Sequence, residues 1–449
     1  MIALVALSIA VAAEPPASPG SVSLAEALAL ADGSSSGVEL AGLGQDMAAL
    51  RLDQVRKSRL PTASLQATVS LWNDSQKISF LPPGTMDCGA LADPAMVPLC
   101  MGLSSEITVR AFVTGTATAR VVEPLTGQIA IGHMIDAADA GVHAADSSAE
   151  QARREARYQA ADAWYLAVAT DRQLEIADAQ VKSLEARVAV AQAAYAAKGG
   201  TKNDVLLGQL ALAQAKQAVL QGGALRDAAQ ARLGLAIGNG GFPVVPEGSS
   251  DEAPRAASEV DGLIKRALDD RADLAALRSQ IEASDANALV TASTRLPSVN
   301  AVGVYTHSEG TGLFAERDAG FVGVTADWPV WSWGQKTDAL DLARTLAQVQ
   351  RMQLEAAEAG VRVDVRSRAD ALNASAGAYD VATASIAVAE ESLRIVEVRL
   401  QAGGGAMTEV LDAEAALVRA RSNQATALYD ARRAEAALER AVGADPWAK

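Results

Sequence analysis

The chain has 449 residues, half of them hydrophobic but only 4% aromatic, and a formal net charge of −15. Nucleic-acid binding requires clustered cations, so this balance excludes nucleic acid as a partner. Alanine in nearly every helical stretch points to long helices packed closely side by side, since Ala joins the best helix propensity to a small side chain; a soluble helical bundle fits this much equally well.

Ile2 to Ala12 is apolar, and Val11-Ala12-Ala13 offers small residues for cleavage ahead of Glu14-Pro15-Pro16, so residues 1–13 are expected to be a secretory signal peptide. Beyond Ala13 no uncharged apolar run reaches the ~18 residues that a membrane helix needs. Any membrane passage therefore falls to strands.

A helix is expected from about Leu24 to Ser58, closed by Arg59-Leu60-Pro61. Leu65, Ala67, Val69 and Leu71 then alternate with Ser64, Gln66, Thr68 and Ser70. Further on, Ile107, Val109, Ala111 and Val113 alternate with Thr108, Arg110, Phe112 and Thr114. Runs of about ten residues with one apolar and one polar face are what a membrane β-barrel strand requires, although strands of a soluble sheet read the same way. Between the two runs, in a Pro- and Gly-rich stretch, lie the two cysteines, Cys88 and Cys100. A disulfide closing this loop is expected in an exported protein, with two free thiols as the alternative; no histidine is near enough to make a metal site.

After Pro124 a helix predicted from about Gln128 to Ala197 would measure ~105 Å at ~1.5 Å per residue. Leu174, Ala177, Val181, Leu184, Val188, Ala191 and Tyr195 mark a coiled-coil seam along it, in alternating steps of three and four. A Gly pair then leads to a helix from about Asn203 to Ile237. Gly238 to Pro243 opens a non-helical connection, and another helix is expected from about Glu259 to Thr294, ended by Arg295-Leu296-Pro297. Strands at 299–306 and 321–328 precede Pro329. A long helix from about Gly334 to Gln401 carries the same seam, from Tyr379 to Leu400, 205 positions further on. After a Gly triplet, a last helix runs from about Met407 to Val442.

The second half thus repeats the first. Pro124 and Asp204 are 80 positions apart, as are Pro329 and Glu409. The hairpins differ: Pro61 to Pro124 spans 63 positions and Pro297 to Pro329 spans 32, and the excess includes both cysteines. Insertions go where no neighbour constrains them, so these tips are expected in open solvent. The expected domains are a first repeat at 14–238 with its hairpin at 62–123, a linker at 239–258, a second repeat at 259–443 with its hairpin at 298–328, and a tail at 444–449. Four strands cannot close a barrel, and an open edge is not tolerated in lipid. Two copies would give eight strands with a filled interior, whereas three give twelve and leave room for a channel.

In this order, and twice over, the landmarks resemble the TolC-like outer-membrane efflux channels across nearly the whole mature chain. They are Leu24-Ala25-Glu26-Ala27-Leu28, the two Arg-Leu-Pro helix ends, Pro124-Leu125 and Pro329-Val330-Trp331-Ser332-Trp333-Gly334, and the Gly-rich turns before Asp204-Val205-Leu206 and Glu409-Val410-Leu411. The resemblance implies a mainly α fold with membrane β, assembled as a homotrimer. Long antiparallel coiled-coil helices would form an α-barrel in the periplasm, and four strands per chain would contribute to a 12-stranded β-barrel in the lipid of a Gram-negative outer membrane. It also implies a periplasmic adaptor and an inner-membrane transporter as partners, and no cofactor.

The family's periplasmic tip is an acidic constriction, and the matching positions here are Glu409, Asp412 and Asp204. Three-fold symmetry would turn each into a ring that favours cations; an acidic first turn complementing the helix dipole is the other reading of the same residues. Where the family places a tyrosine and an arginine that latch the entrance, Leu400 and Gly405 stand in this chain. No catalytic constellation competes. His133, His143 and His307 are the only histidines, and His143 with Asp136 and Asp139 reads as a solvated stripe in preference to a metal site. There is no P-loop lysine motif and no nucleophile elbow. The expected function is a passive exit duct for a tripartite efflux or type I secretion system, opened at its helical tip by an adaptor. Alternatives are the same fold exporting metal cations or proteins, and a soluble periplasmic coiled-coil adaptor or tether.

Overall fold

The computed structural model describes residues 20–80, 85, 87–249, 252–257, 259–310 and 316–444; the expected signal peptide and the tail beyond 444 lie outside them. In chain order the elements are β1 (Ser21–Val22), α1 (Leu24–Ser34), α2 (Ser36–Lys57), β2 (Thr62–Leu71), β3 (Gln76–Ile78), α3 (Val97–Ser104), β4 (Ile107–Arg110), β5 (Val113–Pro124) and α4 (Gly127–Ala196). Then come α5 (Lys202–Ala236), β6 (Val245–Pro246), α6 (Val260–Asp270), α7 (Ala272–Ser293), β7 (Ser298–Glu309), β8 (Asp318–Asp327), α8 (Gln335–Gln401) and α9 (Met407–Val442). The chain is mainly helical, and α4 and α8 are single helices of 70 and 67 residues. Among the described residues no helix is long and apolar enough to cross a membrane.

Two helices expected to be continuous are each broken. α1 and α2 part at Ser35, and α6 and α7 part at Arg271, both with extended backbone. Ser35 and Arg271 are 236 positions apart, the same offset as Arg59 and Arg295, so the break belongs to the repeat. Gly33 and Gly37 flank Ser35, whereas no glycine or proline stands beside Arg271. Side-chain partners stabilise both joints: Asp32 accepts two hydrogen bonds at 2.7 Å from Arg157 Nε, and the Asp270 carbonyl accepts one at 3.1 Å from Arg154.

The described residues fall into two compact units. The first takes the described parts of 1–47, 143–279 and 350–449. Its core gathers Leu28, Trp164, Val168, Leu233, Val244 and Tyr429, with the Trp164 indole donating to the Val22 carbonyl at 3.1 Å. Buried Asp162 on α4 accepts from Arg232 on α5 at 2.9 Å and from Arg433 on α9 at 2.7 Å, so its charge is taken up by two cations. The seam residues Leu184, Val188 and Ala191 are buried, as is Ala382 on α8; Tyr195, at the end of the first seam, is exposed. A third seam was not anticipated. Val381, Val388 and Ile395 recur every seven residues on α8 and are 69%, 71% and 47% exposed in the single chain.

The second unit, residues 48–142 and 280–349, holds an antiparallel sheet in the order β2-β5-β7-β8. The two hairpins are joined by β5 and β7, so the repeats merge into one sheet. The second strand differs from expectation: Ile107–Arg110 pairs with β3 in a separate two-stranded piece, and the long strand is Val113–Pro124. Its Gly-Thr-Ala-Thr-Ala centre has too little hydrophobic contrast to show alternation. Both Arg-Leu-Pro helix ends are held in this unit. Gln128 donates to the Arg59 carbonyl at 3.0 Å, and Trp328 Nε1 to the Arg295 carbonyl at 3.3 Å.

Candidate functional site: two glycine turns and an open sheet

The two glycine turns are built differently. After α4 the chain enters α5 through a capping box: Thr201 caps the Asp204 N–H, and the Asp204 carboxylate accepts from Thr201 N at 3.0 Å and Oγ1 at 2.7 Å. Asp204 is thus committed to the helix end, where its charge also meets the positive pole of the dipole. At the equivalent place before α9 the N-cap is Ala406, which has no side-chain oxygen. Glu409 is therefore released from capping and lies 3.6 Å from Arg399 on α8. Asp412, one turn further, is exposed.

Leu400 and Gly405 face each other across the second turn. A Cβ on Gly405 would stand 2.9 Å from Leu400 N and 3.1 Å from Leu400 Cα. Both obstacles are backbone, so no side chain fits there unless the turn is rebuilt. The absence of the family's arginine at this position thus has a steric reason.

Behind the turns sits an ion cluster that the sequence reading missed. Arg187 on α4, 21% exposed, donates to Glu397 on α8 at 2.6 Å and pairs with Glu414 on α9. Glu414 is among the few buried charged side chains of the described residues. Heptad patterning hid this cluster, because Arg187, Glu397 and Glu414 lie beside the seam where solvated charge is the ordinary expectation. Repeat asymmetry was the available signal. At the 205-residue offset, Glu397, Arg399 and Glu414 correspond to Gln192, Ala194 and Gln209 in the first copy.

In the sheet, the register sorts the side chains cleanly. Leu65, Val69, Val121, Tyr305, Val322 and Val324 share one face; Gln66, Thr68, Thr116, Thr118, Thr306 and Ser308 share the other. Leu65, Val69, Val322 and Val324 are 78%, 72%, 89% and 67% exposed, so the apolar face is unpacked within the chain. Beyond the sheet Trp331 and Trp333, in edge-to-face contact at 5.6 Å, are 74% and 83% exposed. In the hairpin insertion Cys88 and Cys100 are bonded, with Cα atoms 5.6 Å apart.

Residues 263–444 match the family described as outer membrane efflux protein. The outer membrane protein TolC of Vibrio cholerae serotype O1 is 27% identical over 197 residues, which are 42% of this chain and 45% of TolC. The match thus spans less than half of that relative's length. Solved structures extend the likeness of fold. The outer membrane protein VceC from Vibrio cholerae aligns with a TM-score of 0.72 at 17% identity, over 94% of this chain and 96% of VceC. The Campylobacter jejuni CmeC outer membrane channel aligns with a TM-score of 0.74 at 14% identity, over 94% and 85% of the two chains.

Proposed function

We propose that three copies of the chain close a twelve-stranded barrel in the outer membrane and form the passive exit duct of a tripartite efflux or type I secretion system. The observation that carries this reading is the open sheet: among the described residues β2 and β8 are unpaired at its two edges, and its apolar face is exposed. Lipid covers such a face but tolerates no free edge, so closure by further copies satisfies both. The uncovered Val381, Val388 and Ile395 seam on α8 gives neighbouring copies a matching helical contact.

In this reading the glycine turns form the periplasmic entrance. Glu409 and Asp412 ring it, and Asp204 contributes its charge while capping α5. Arg187 holds α8 and α9 to α4 behind the turns, in the place of a side-chain latch on the turn itself. A periplasmic adaptor, coupled to an inner-membrane transporter, opens this end and supplies through its pump the energy the duct lacks. The test is fractionation followed by native gel electrophoresis. A heat-dissociable trimer in the outer-membrane fraction is expected; a folded monomer in the soluble periplasm would overturn the reading.

A further inference from the structure

The polar face of the sheet carries an arginine that has no part in the proposed entrance. Arg120 on β5 stands in a cross-strand row with Ser64, Val304 and Phe321, and it is exposed. The adjoining rows, Gln66-Thr118-Thr306-Ala319 and Thr62-Val122-Val302-Gly323, are uncharged. Carboxylates in these strands lie elsewhere. Glu123, Glu309 and Asp318 fall on the apolar face by register, and Asp327 ends β8 three rows away. No ion pair to Arg120 occurs among the described residues. A second cation of the same sign lies toward the hairpin tip. Arg110 sits 3.9 Å over the Trp72 ring, whose indole donates to Thr114 on this same polar face. In a chain of net charge −15, this face is locally cationic.

Resting on the trimeric-channel reading above, we propose that Arg120 forms a three-fold cationic ring inside the β-barrel, a binding site for carboxylate- or phosphate-bearing solutes in series with the acidic entrance. Twelve strands ~4.8 Å apart and tilted ~40° close at a backbone radius of about 12 Å. A guanidinium reaching roughly half that distance inward lies within about one Debye length of the axis, so the three fields overlap where solutes pass. The planar fork of arginine pairs with two oxygens of one anion, which an ammonium does not do as well. The entrance and the barrel would then discriminate charge in opposite senses.

The test uses the purified full-length trimer in planar bilayers under a KCl gradient. Arg120→Gln is expected to raise the cation-to-anion permeability ratio about two-fold or more, while Glu409→Gln with Asp412→Asn lowers it. Citrate added on the hairpin side is expected to block the wild-type current, about ten-fold less strongly in Arg120→Gln, with partial recovery in Arg120→Lys. Unchanged reversal potential and citrate sensitivity in Arg120→Gln would overturn the ring and leave the channel intact. Should that variant not insert, a wild-type channel indifferent to citrate overturns the ring by itself. A wild-type trimer with no conductance would instead overturn the channel reading.

Discussion

Arg187 on α4 and Glu414 on α9 form an ion pair that joins the two repeats, with 6% of the Glu414 side chain exposed. Removing one member of a buried pair strands the other charge, at a cost of about 3–5 kcal/mol, whereas replacing both by apolar groups is far milder. Arg187→Met is therefore expected to loosen the turn between α8 and α9, and Arg187→Met with Glu414→Leu to restore it. Amide hydrogen exchange over residues 395–412 reads this directly. Equal protection in the wild type and the single variant would mean that the helices are held by packing alone.

At the proposed entrance the two second-copy carboxylates are not equivalent. Arg399 stands 3.6 Å from Glu409 and offsets its charge, while no ion pair to Asp412 occurs among the described residues. Asp412→Asn should accordingly lower cation preference more than Glu409→Gln does, and Arg399→Gln should raise it. Thr201→Ala, which removes the cap on α5, should cost about 1 kcal/mol of local stability with selectivity unchanged. Reversal potentials of the four variants separate charge rings from helix caps.

Cys88 and Cys100 close a loop with a sequence separation of 12. Loops of this size gain roughly 3 kcal/mol from the cross-link. Reduction is expected to slow the denatured chain on gels, an effect that Cys88→Ser abolishes. The same substitution should expose residues 85–105 to protease while channel conductance persists, since the bond lies in the insertion and outside the sheet.

Acid should act on the joint between α6 and α7. Burial works to raise the Asp273 carboxyl, but the hydrogen bond and charge of Arg271 and the Leu274 N–H outweigh it, so the group is held below the ordinary aspartate value. The lowered group adds stability that is complete above its unfolded value, near pH 4, and that drains as the pH falls below it. Between pH 6 and pH 3 the wild-type thermal midpoint should fall further than that of Asp273→Asn. Parallel curves would show that this carboxylate does not govern acid sensitivity.

Much of the helical framework was legible. The seam periodicity and glycine turns fixed the long helices to within a residue, 128–197 expected against 127–196 observed for α4. Local signals were strong there because each turn of helix repeats the same demand. What stayed hidden was decided by tertiary contact: the joints at Ser35 and Arg271 depend on Arg157 and Arg154, which are distant in sequence. The strand at Val113–Pro124 fell outside the expected alternation because its Gly-Thr-Ala-Thr-Ala centre offers little hydrophobic contrast. For the entrance, Glu409 and Asp412 came from the resemblance, but their inequality required Arg399 and the missing cap at Ala406 to be seen in place.

The unpaired edges of β2 and β8 also impose an order of events on biogenesis. A lone chain in water presents two hydrogen-bonding edges and an uncovered apolar face, the combination that templates aggregation. In the proposed trimer each chain must therefore be escorted until it meets two others, and the rate of productive assembly must rise steeply with the local concentration of newly delivered chains. Overproduction without matching escort should yield aggregates and not surplus channels.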